Sequence, residues 1–189
     1  MRGEAGMKRA WLDGENAYDG TQLRSHWIYG MTGVLGDAIV AFEGPADVPT
    51  SNMADLIDVR ENAPIFSKSM LHFIIEHFGC DLELAVARQR LLVAEAADLL
   101  RPSVGEIRRS GNDLYSGEKK LSVSIATASP VSSLIHFAVN ISSDGTPVPT
   151  LGLGDLKVDP KAFADELMRS YCEEISSMRE ARCKVRAVR

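Results

Sequence analysis

The chain has 189 residues, of which 45% are hydrophobic and 25% charged, the composition of an ordinary globular protein. A formal net charge of −5 argues against a general nucleic-acid binder, because such proteins carry a strong positive excess. Neither an apolar run of membrane-spanning length nor an apolar signal core is present. We therefore expect one cytoplasmic domain over residues 1–189, with no nucleic-acid or membrane partner.

The first part of the chain predicts a short lead, a strand and a loop. Met7 is a second candidate start, so residues 1–6 are expected to be a disordered lead. "VLGDAIVAFEG" at 34–44 is typical of a strand that ends at a Gly-Pro turn, and "EGPADVPTSN" at 43–52 of a loop.

A strand and a helix follow in the middle of the chain. "SMLHFIIEHF" at 69–78 is rich in β-forming residues and predicts a strand. On it His72 and Glu76 share one face while His77 points the other way, so no metal site is expected. Apolar residues at helical spacing predict a helix over 81–100, capped by Asp81 and ended by Arg101-Pro102.

The stretch "RRSGNDLYSGEKKLSVSIATAS" at 108–129 predicts a hairpin that leads into a strand. Strict alternation would place Leu121, Val123 and Ile125 on one face, opposite Lys120, Ser122, Ser124 and Ala126. "LIHFAVNIS" at 134–142 repeats the split, with Ile135, Phe137, Val139 and Ile141 against His136, Ala138, Asn140 and Ser142. A face of small and polar side chains either meets bulk water or borders a cavity for a polar ligand. Because the side chains are small, we favour the cavity.

The remainder predicts a loop, a helix and a basic tail. The loop covers 142–155, and the helix covers 160–181 with Asp159 as its cap and Pro160 at its first position. The three cysteines are odd in number and lack metal-ligand spacing, which suits a reducing cytosol.

The segment "SGNDLYSGEKKLSVSIA" resembles the central motif of the biotin and lipoate protein ligases, in which Asn-Asp-Leu leads through a turn to Lys-Leu-Ser. The order of the elements over about residues 65–145 is similar too. The whole chain also resembles an uncharacterised family, a domain of unknown function, that is grouped with these ligases by fold. The resemblance implies an α+β fold of the biotin/lipoate protein ligase type, related to class II synthetases. Its mixed, mostly antiparallel sheet would pack on the two helices.

The resemblance also implies a chemistry and a site. Such ligases use ATP to convert a carboxylic acid to an acyl-adenylate and then pass the acyl group to a carrier lysine. By position Lys120 would be the catalytic residue, contacting both the acid's carboxylate and the phosphate. The implied substrate- or nucleotide-binding residues are Arg60, Arg109, Asn112, Asp113, Ser122, Ser124 and Asn140. ATP and Mg²⁺ are the implied cofactors. A biotin- or lipoate-like acid, a carrier protein and a second copy of the chain are the expected partners.

The chain also departs from these ligases, which leaves three functions open. Where biotin ligases have a Gly-Arg-rich loop, this chain has "DLIDVRENAPIFSKS", with Arg60 as the candidate positive charge. The glycine expected after Lys-Leu-Ser is Val123. The alternatives to an adenylating ligase are an acyl transferase that uses Cys80 as a thioester nucleophile and a member that binds its ligand without catalysis.

Overall fold

The computed structural model describes residues 6–63, 65–146 and 148–188. The expectation for the lead therefore lies outside the described residues, apart from Gly6. The strands are β1 (Lys8–Glu15), β2 (Ala38–Val48), β3 (Ile65–His77), β4 (Arg108–Ser110), β5 (Asp113–Ser116), β6 (Lys119–Lys120), β7 (Ser122–Ala128) and β8 (Ser133–Asn140). The helices are α1 (Trp27–Thr32), α2 (Leu56–Glu61), α3 (Leu82–Val104) and α4 (Pro160–Ala181). The α+β class predicted from the sequence is confirmed.

Five strands form the main sheet in the order β1-β2-β3-β8-β7, and β4, β5 and β6 form a small second sheet. Within the main sheet β1 and β2 run parallel, whereas the other neighbours are antiparallel. The small sheet is the predicted hairpin with one added strand. Gly117, at φ 56°, makes its tight turn because glycine enters the left-handed region without steric cost.

The predicted helix starts are confirmed, but one predicted end is wrong. The Asp81 carboxylate accepts the Leu84 amide hydrogen at the start of α3, and Asp159 does the same for Ala162 in α4. Helix α3 does not stop at residue 100 but runs through Pro102 to Val104. A proline in the last turn removes one backbone hydrogen bond only, so the helix continues to Gly105, where φ reaches 77°.

The predicted end of the strand at 34–44 is also wrong. Strand β2 begins at Ala38 and continues past Gly44 and Pro45 to Val48, so the first half of the predicted loop at 43–52 is strand. The β2–β3 register shifts between Gly44 and Ala46, and a proline is tolerated where the ladder is interrupted. Gly44 is required there, because a Cβ atom would overlap the Asn16 carbonyl.

Helices α3 and α4 cover one face of the main sheet. Alternate residues of β3 and β8 point into this core, among them Phe73 and Phe137, and meet Leu92, Phe163 and Tyr171 from the helices. The other face carries a smaller apolar cluster under α1. Among the described residues, no helix combines the length and the apolar character needed to cross a bilayer.

The predicted faces of β8 are confirmed, but those of β7 are reversed. Ser122 is paired with Val139 and Ser124 with Phe137, and residues directly opposite in a sheet share a face. The two serines therefore face the helices, while Val123 points to the opposite side. The cause is a break at Leu121, which lies outside both β6 and β7, so the alternation that starts at Lys120 does not carry across it.

Candidate ligand cavity

A cavity of about 410 Å³ lies on the sheet face that α3 and α4 leave uncovered. Its floor is formed by β3, β7 and β8, and its other walls come from the segment that precedes α1, from the region of α2 and from the small sheet. The side chains that matter chemically are Tyr18, Asp55, Asp58, Ser67, Asn112, Asp113, Lys120, His136 and Asn140. Apolar residues such as Val48, Ile65, Met70, Val123 and Ile125 complete the lining. The cavity therefore combines an apolar interior with a charged margin.

The charged margin is centred on Lys120. Its ammonium Nζ lies 2.7 Å from the Asp113 carboxylate Oδ2, and both side chains are largely buried. Asn112 is held beside them, because its side-chain oxygen accepts a hydrogen bond from the Arg90 guanidinium of α3 at 3.2 Å. Lys120 is the one cationic side chain among the described residues that border the cavity.

The carboxylates around Lys120 experience opposing effects. Burial raises the pKa of Asp113, although its hydrogen bond and its attraction to Lys120 act in the other direction. Burial also raises the pKa of Asp58, and the charge of Asp55 adds to this while Lys120 opposes it. With three carboxylates around one ammonium group, the margin has an excess of negative charge when all are ionised. Burial of Asp58 and Asp113 disfavours their charged forms, and Lys120 opposes this at both residues.

The apolar interior contains two buried histidines. The His72 Nδ1 and His136 Nε2 atoms are 3.1 Å apart, and the His72 Nε2 atom lies 3.2 Å from the Gly44 carbonyl oxygen. The Tyr18 ring stacks on His136 with 3.7 Å between the ring centroids. Burial lowers the pKa of His72 to about 4 and that of His136 well below its usual value, so both rings are neutral at physiological pH.

Two polar side chains of the cavity wall differ in their hydrogen bonding, because within the described part of the chain one has a partner and the other does not. The Asn140 amide is buried and lies 3.4 Å from the Lys120 backbone carbonyl, which ties the floor to the charged margin. The Ser67 hydroxyl is buried, with 3% of the residue exposed, and has no hydrogen-bond partner among the described residues. An unsatisfied buried hydroxyl costs about 1–3 kcal/mol, so its presence in the wall favours a site that a polar ligand completes.

Five of the eight residues predicted for the site border the cavity, among them Asn112, Asp113, Lys120 and Asn140. Ser124 also borders the cavity, but its hydroxyl donates to the His136 carbonyl and accepts from Gln89 of α3. The remaining three residues, Arg60, Arg109 and Ser122, are not at the cavity.

The structure explains why each of these three residues lies away from the cavity. Ser122 is buried on the helix side, where its hydroxyl accepts the Leu114 amide hydrogen, so its predicted position in the cavity is wrong. Arg60 is exposed on α2, and the exposed Arg109 donates to the carbonyl of Gly111, two residues away. The roles of the residues that do meet at the cavity stay predictions.

Sequence reasoning missed Tyr18, Asp58, Ser67 and the bonding of His136. His136 was on the correct strand face, but no sequence signal links it to His72 or to Gly44. Asp58 follows the helix cap Asp55 by three residues, which is sufficient to read both as ordinary helix-start residues. Tyr18 lies in an irregular segment, where periodicity gives no information.

The cysteine and metal alternatives receive no support from this geometry. Among the residues that the structure describes, no cysteine borders the cavity, and the Cys80 thiol donates to the Pro130 carbonyl elsewhere on the surface. No group of three or more His, Cys, Asp or Glu side chains within the described ranges is arranged to hold a metal ion.

The sheet order and the cavity define an α+β domain with the fold of the biotin and lipoate protein ligases. A structure of the biotin protein ligase from Aquifex aeolicus in complex with biotin and ATP aligns with a TM-score of 0.59 and 13% identity, over 92% of this chain and 72% of that one. The putative lipoate protein ligase from T. acidophilum with bound lipoic acid aligns with a TM-score of 0.60 and 15% identity, over 90% and 86%. At these identities the likeness concerns the fold.

The particular family is shown by closer relatives. The chain belongs to the family described as a domain of unknown function, DUF366, whose model matches residues 7–186. An uncharacterised protein of Methanocaldococcus jannaschii is 36% identical over 168 residues, which is 85% of this chain and 76% of that protein. A protein of unknown function from Pyrococcus horikoshi is 38% identical with a TM-score of 0.92, over 97% of this chain and all of that one.

Proposed function

We propose that this protein binds a small carboxylic acid of the biotin or lipoate type in the cavity, activates it with ATP and transfers the acyl group to a carrier lysine. The observation that carries the proposal is the position of Lys120. It is the one cation among the described residues around the cavity, and it stands where charged and apolar walls meet. A carboxylate paired with Lys120 would leave the acid's apolar part against Met70 and Val123.

The proposed reaction has two steps. A carboxylate oxygen attacks the α-phosphorus of ATP and pyrophosphate leaves, and later a lysine amine of the carrier attacks the acyl carbon and AMP leaves. The first step brings two anions together, which Lys120 would counteract by exchanging its bond to Asp113 for one to the reacting groups. Removal of such a fixed charge typically costs about 3–4 kcal/mol of transition-state stabilisation.

The residues at the margin fit Mg²⁺ as an ion that arrives with the nucleotide. Carboxylate and amide oxygens of Asp58, Asp113 and Asn112 are the hard ligands that this ion prefers. When bound, the ion would neutralise phosphate charge. Without it, the carboxylates at the margin would repel a triphosphate.

The test is ATP–pyrophosphate exchange in the presence of biotin, lipoate or octanoate. We expect exchange with one of these acids and a loss of about 10²-fold or more in Lys120→Ala. Lys119→Ala is the matched control, because Lys119 is the adjacent exposed lysine of the same two-residue strand and should retain activity within about twofold.

A second candidate function is binding without catalysis, favoured by the absence of Arg60 and Arg109 from the described cavity wall. Isothermal titration with the same acids separates the two functions. Saturable binding without exchange would support a binding protein and contradict the ligase. Absence of both would contradict each of them.

A further inference from the structure

Two buried histidines form a hydrogen-bond chain whose direction is fixed by the backbone. The Gly44 carbonyl oxygen can only accept, so the His72 Nε2 atom, 3.2 Å away, must carry a hydrogen and donate it. A neutral His72 then has a bare Nδ1 atom, which accepts from the His136 Nε2 atom at 3.1 Å. Because His136 is also neutral, its one hydrogen is used in this bond. Its Nδ1 atom is therefore an acceptor.

The neutrality on which this chain depends follows from burial. His72 and His136 are both almost entirely inaccessible to solvent, and a charged imidazole without a carboxylate partner would be costly there. Stacking of the Tyr18 ring on His136 further excludes water from one face of the ring. Each histidine therefore keeps one hydrogen, and its position is determined by the Gly44 carbonyl.

The free acceptor is on a residue that lines the cavity. His136 is one of its lining residues, and within the described parts of the chain its Nδ1 atom has no hydrogen-bond partner. Tyr18, which also lines the cavity, likewise has no partner for its hydroxyl among the described residues. The buried Ser67 hydroxyl is a third polar group of the wall without a partner.

The acceptor is separated from the charged margin along the floor. His136 and Asn140 are four residues apart on β8, a distance of roughly 14 Å between their Cα atoms at about 3.4 Å per residue. Asn140 is bonded to the Lys120 carbonyl, so His136 lies toward the end of the floor that is remote from Lys120. An acid whose carboxylate pairs with Lys120 would extend its far end toward His136.

We propose that His136 determines the specificity of the cavity by accepting a hydrogen bond through Nδ1 from an N–H group at the far end of the bound acid. This rests on the proposed function, because it assumes an acid anchored at Lys120. The ligand class is then an acid with a cyclic urea or amide head. A saturated fatty acid or a dithiolane acid would leave the His136 acceptor unsatisfied.

The first experiment compares affinities in the wild-type protein by isothermal titration. Biotin and desthiobiotin carry a cyclic urea, whereas octanoate has only a hydrocarbon chain and lipoate ends in a disulfide ring. We expect the two urea acids to bind at least about tenfold more tightly than octanoate and lipoate. Equal or tighter binding of octanoate or lipoate would overturn the inference and leave the proposed function intact.

Variants locate the preference at the histidine. His136→Phe keeps a ring for stacking on Tyr18 but removes the acceptor together with the hydrogen bond to His72, so the preference for urea acids over octanoate should fall about tenfold. Circular dichroism and thermal melting check that the variant is folded. A folded His136→Phe protein that keeps the full preference would contradict the assignment. Absence of binding by all four acids to the wild type would remove both this inference and the proposed function.

A measurement that needs no variant tests the tautomer directly. In ¹⁵N-labelled protein, long-range correlation spectra distinguish protonated from bare imidazole nitrogens. We expect the His136 Nδ1 atom to be bare in the free protein and its resonance to shift when desthiobiotin binds. A protonated Nδ1 atom would contradict the inference before any ligand is added.

Discussion

Two histidine–tyrosine clusters lie on opposite faces of β3. They differ in whether every histidine ring nitrogen has a hydrogen-bond partner. On the helix side, His77 Nδ1 lies 3.2 Å from the Asp37 carboxylate and Nε2 lies 2.9 Å from the Tyr171 hydroxyl. Arg179 also pairs with Asp37. Because the carboxylate accepts, His77 Nδ1 donates and Nε2 accepts from Tyr171. Both ring nitrogens are used, so this cluster is complete within the protein.

On the cavity side the corresponding chain of hydrogen bonds is incomplete. It starts at the Gly44 carbonyl, passes through His72 and reaches His136, where one ring nitrogen has no partner among the described residues. Both clusters are buried and both depress histidine pKa values, chiefly through burial. Burial and a perturbed pKa alone do not distinguish them. The difference is whether the last polar atom is satisfied, which separates a structural network from one directed at a ligand.

The largest effect is expected from a variant that breaks the complete cluster on the helix side. Asp37→Ala should lower the free energy of unfolding by about 3 kcal/mol, because His77 and Arg179 lose their carboxylate and the Phe78 amide loses its acceptor. Urea denaturation measures the change. Asp165→Ala, which breaks an exposed pair with Lys161, is the control and should cost less than about 0.5 kcal/mol. Equal losses in the two variants would show that the cluster contributes nothing particular.

A smaller effect is expected from Glu95, a partly buried acid of α3 on the helix side. Burial raises its pKa to about 7, with the Ser170 hydroxyl opposing this and the charges of Glu174 and Asp98 adding to it. The folded state therefore holds a proton that the unfolded state releases at lower pH, and stability falls as pH rises from about 5 to 7. Glu95→Gln should remove that fall.

The stability difference between Glu95→Gln and the wild type should depend on pH in a definite direction. At pH 8 Glu95→Gln should be more stable than the wild type by about 1–2 kcal/mol, after allowance for solvent screening, and the difference should vanish near pH 4. Urea denaturation at each pH measures it. Glu180→Gln removes an exposed acid of α4 and serves as the control. A constant difference between Glu95→Gln and the wild type across the series would contradict the assigned pKa.

The smallest effects are expected from removing the hydroxyl groups of the two tyrosines, one in each cluster. Tyr171→Phe removes a hydroxyl bonded to His77 and should cost about 1 kcal/mol of unfolding free energy. Tyr18→Phe removes a hydroxyl without a partner among the described residues and should change stability by less than about 0.5 kcal/mol. Both follow from chemical denaturation under identical conditions. A larger loss in Tyr18→Phe than in Tyr171→Phe would reverse the comparison.

Local sequence signals predicted most of the fold. Asp81 and Asp159 marked the helix starts correctly, and the split faces of β8 were correct because alternation is uninterrupted there. The errors arose at irregularities. A proline predicts the end of an element at Pro45 and Pro102, although both prolines are tolerated inside their elements. The break at Leu121 reverses the predicted faces of β7.

The candidate site was predicted less completely, since its parts come together through the tertiary structure. Lys120, Asn112 and Asp113 lie on one hairpin and were found by their resemblance to a motif. Tyr18 and His136 come from distant parts of the chain and share no pattern. Arg109 was predicted at the margin because it adjoins the motif, but its side chain turns back to Gly111.

The parallel pairing of β1 with β2 has a consequence for the order of folding. Parallel neighbours cannot be joined by a tight turn, so residues 16–37 must cross over the sheet, and they do so on the cavity side with Tyr18. One wall of the cavity therefore forms only when the beginning of the chain meets strand β8, near its last third. Contacts of such large sequence separation form slowly. We expect ligand binding to recover later in refolding than helical circular dichroism.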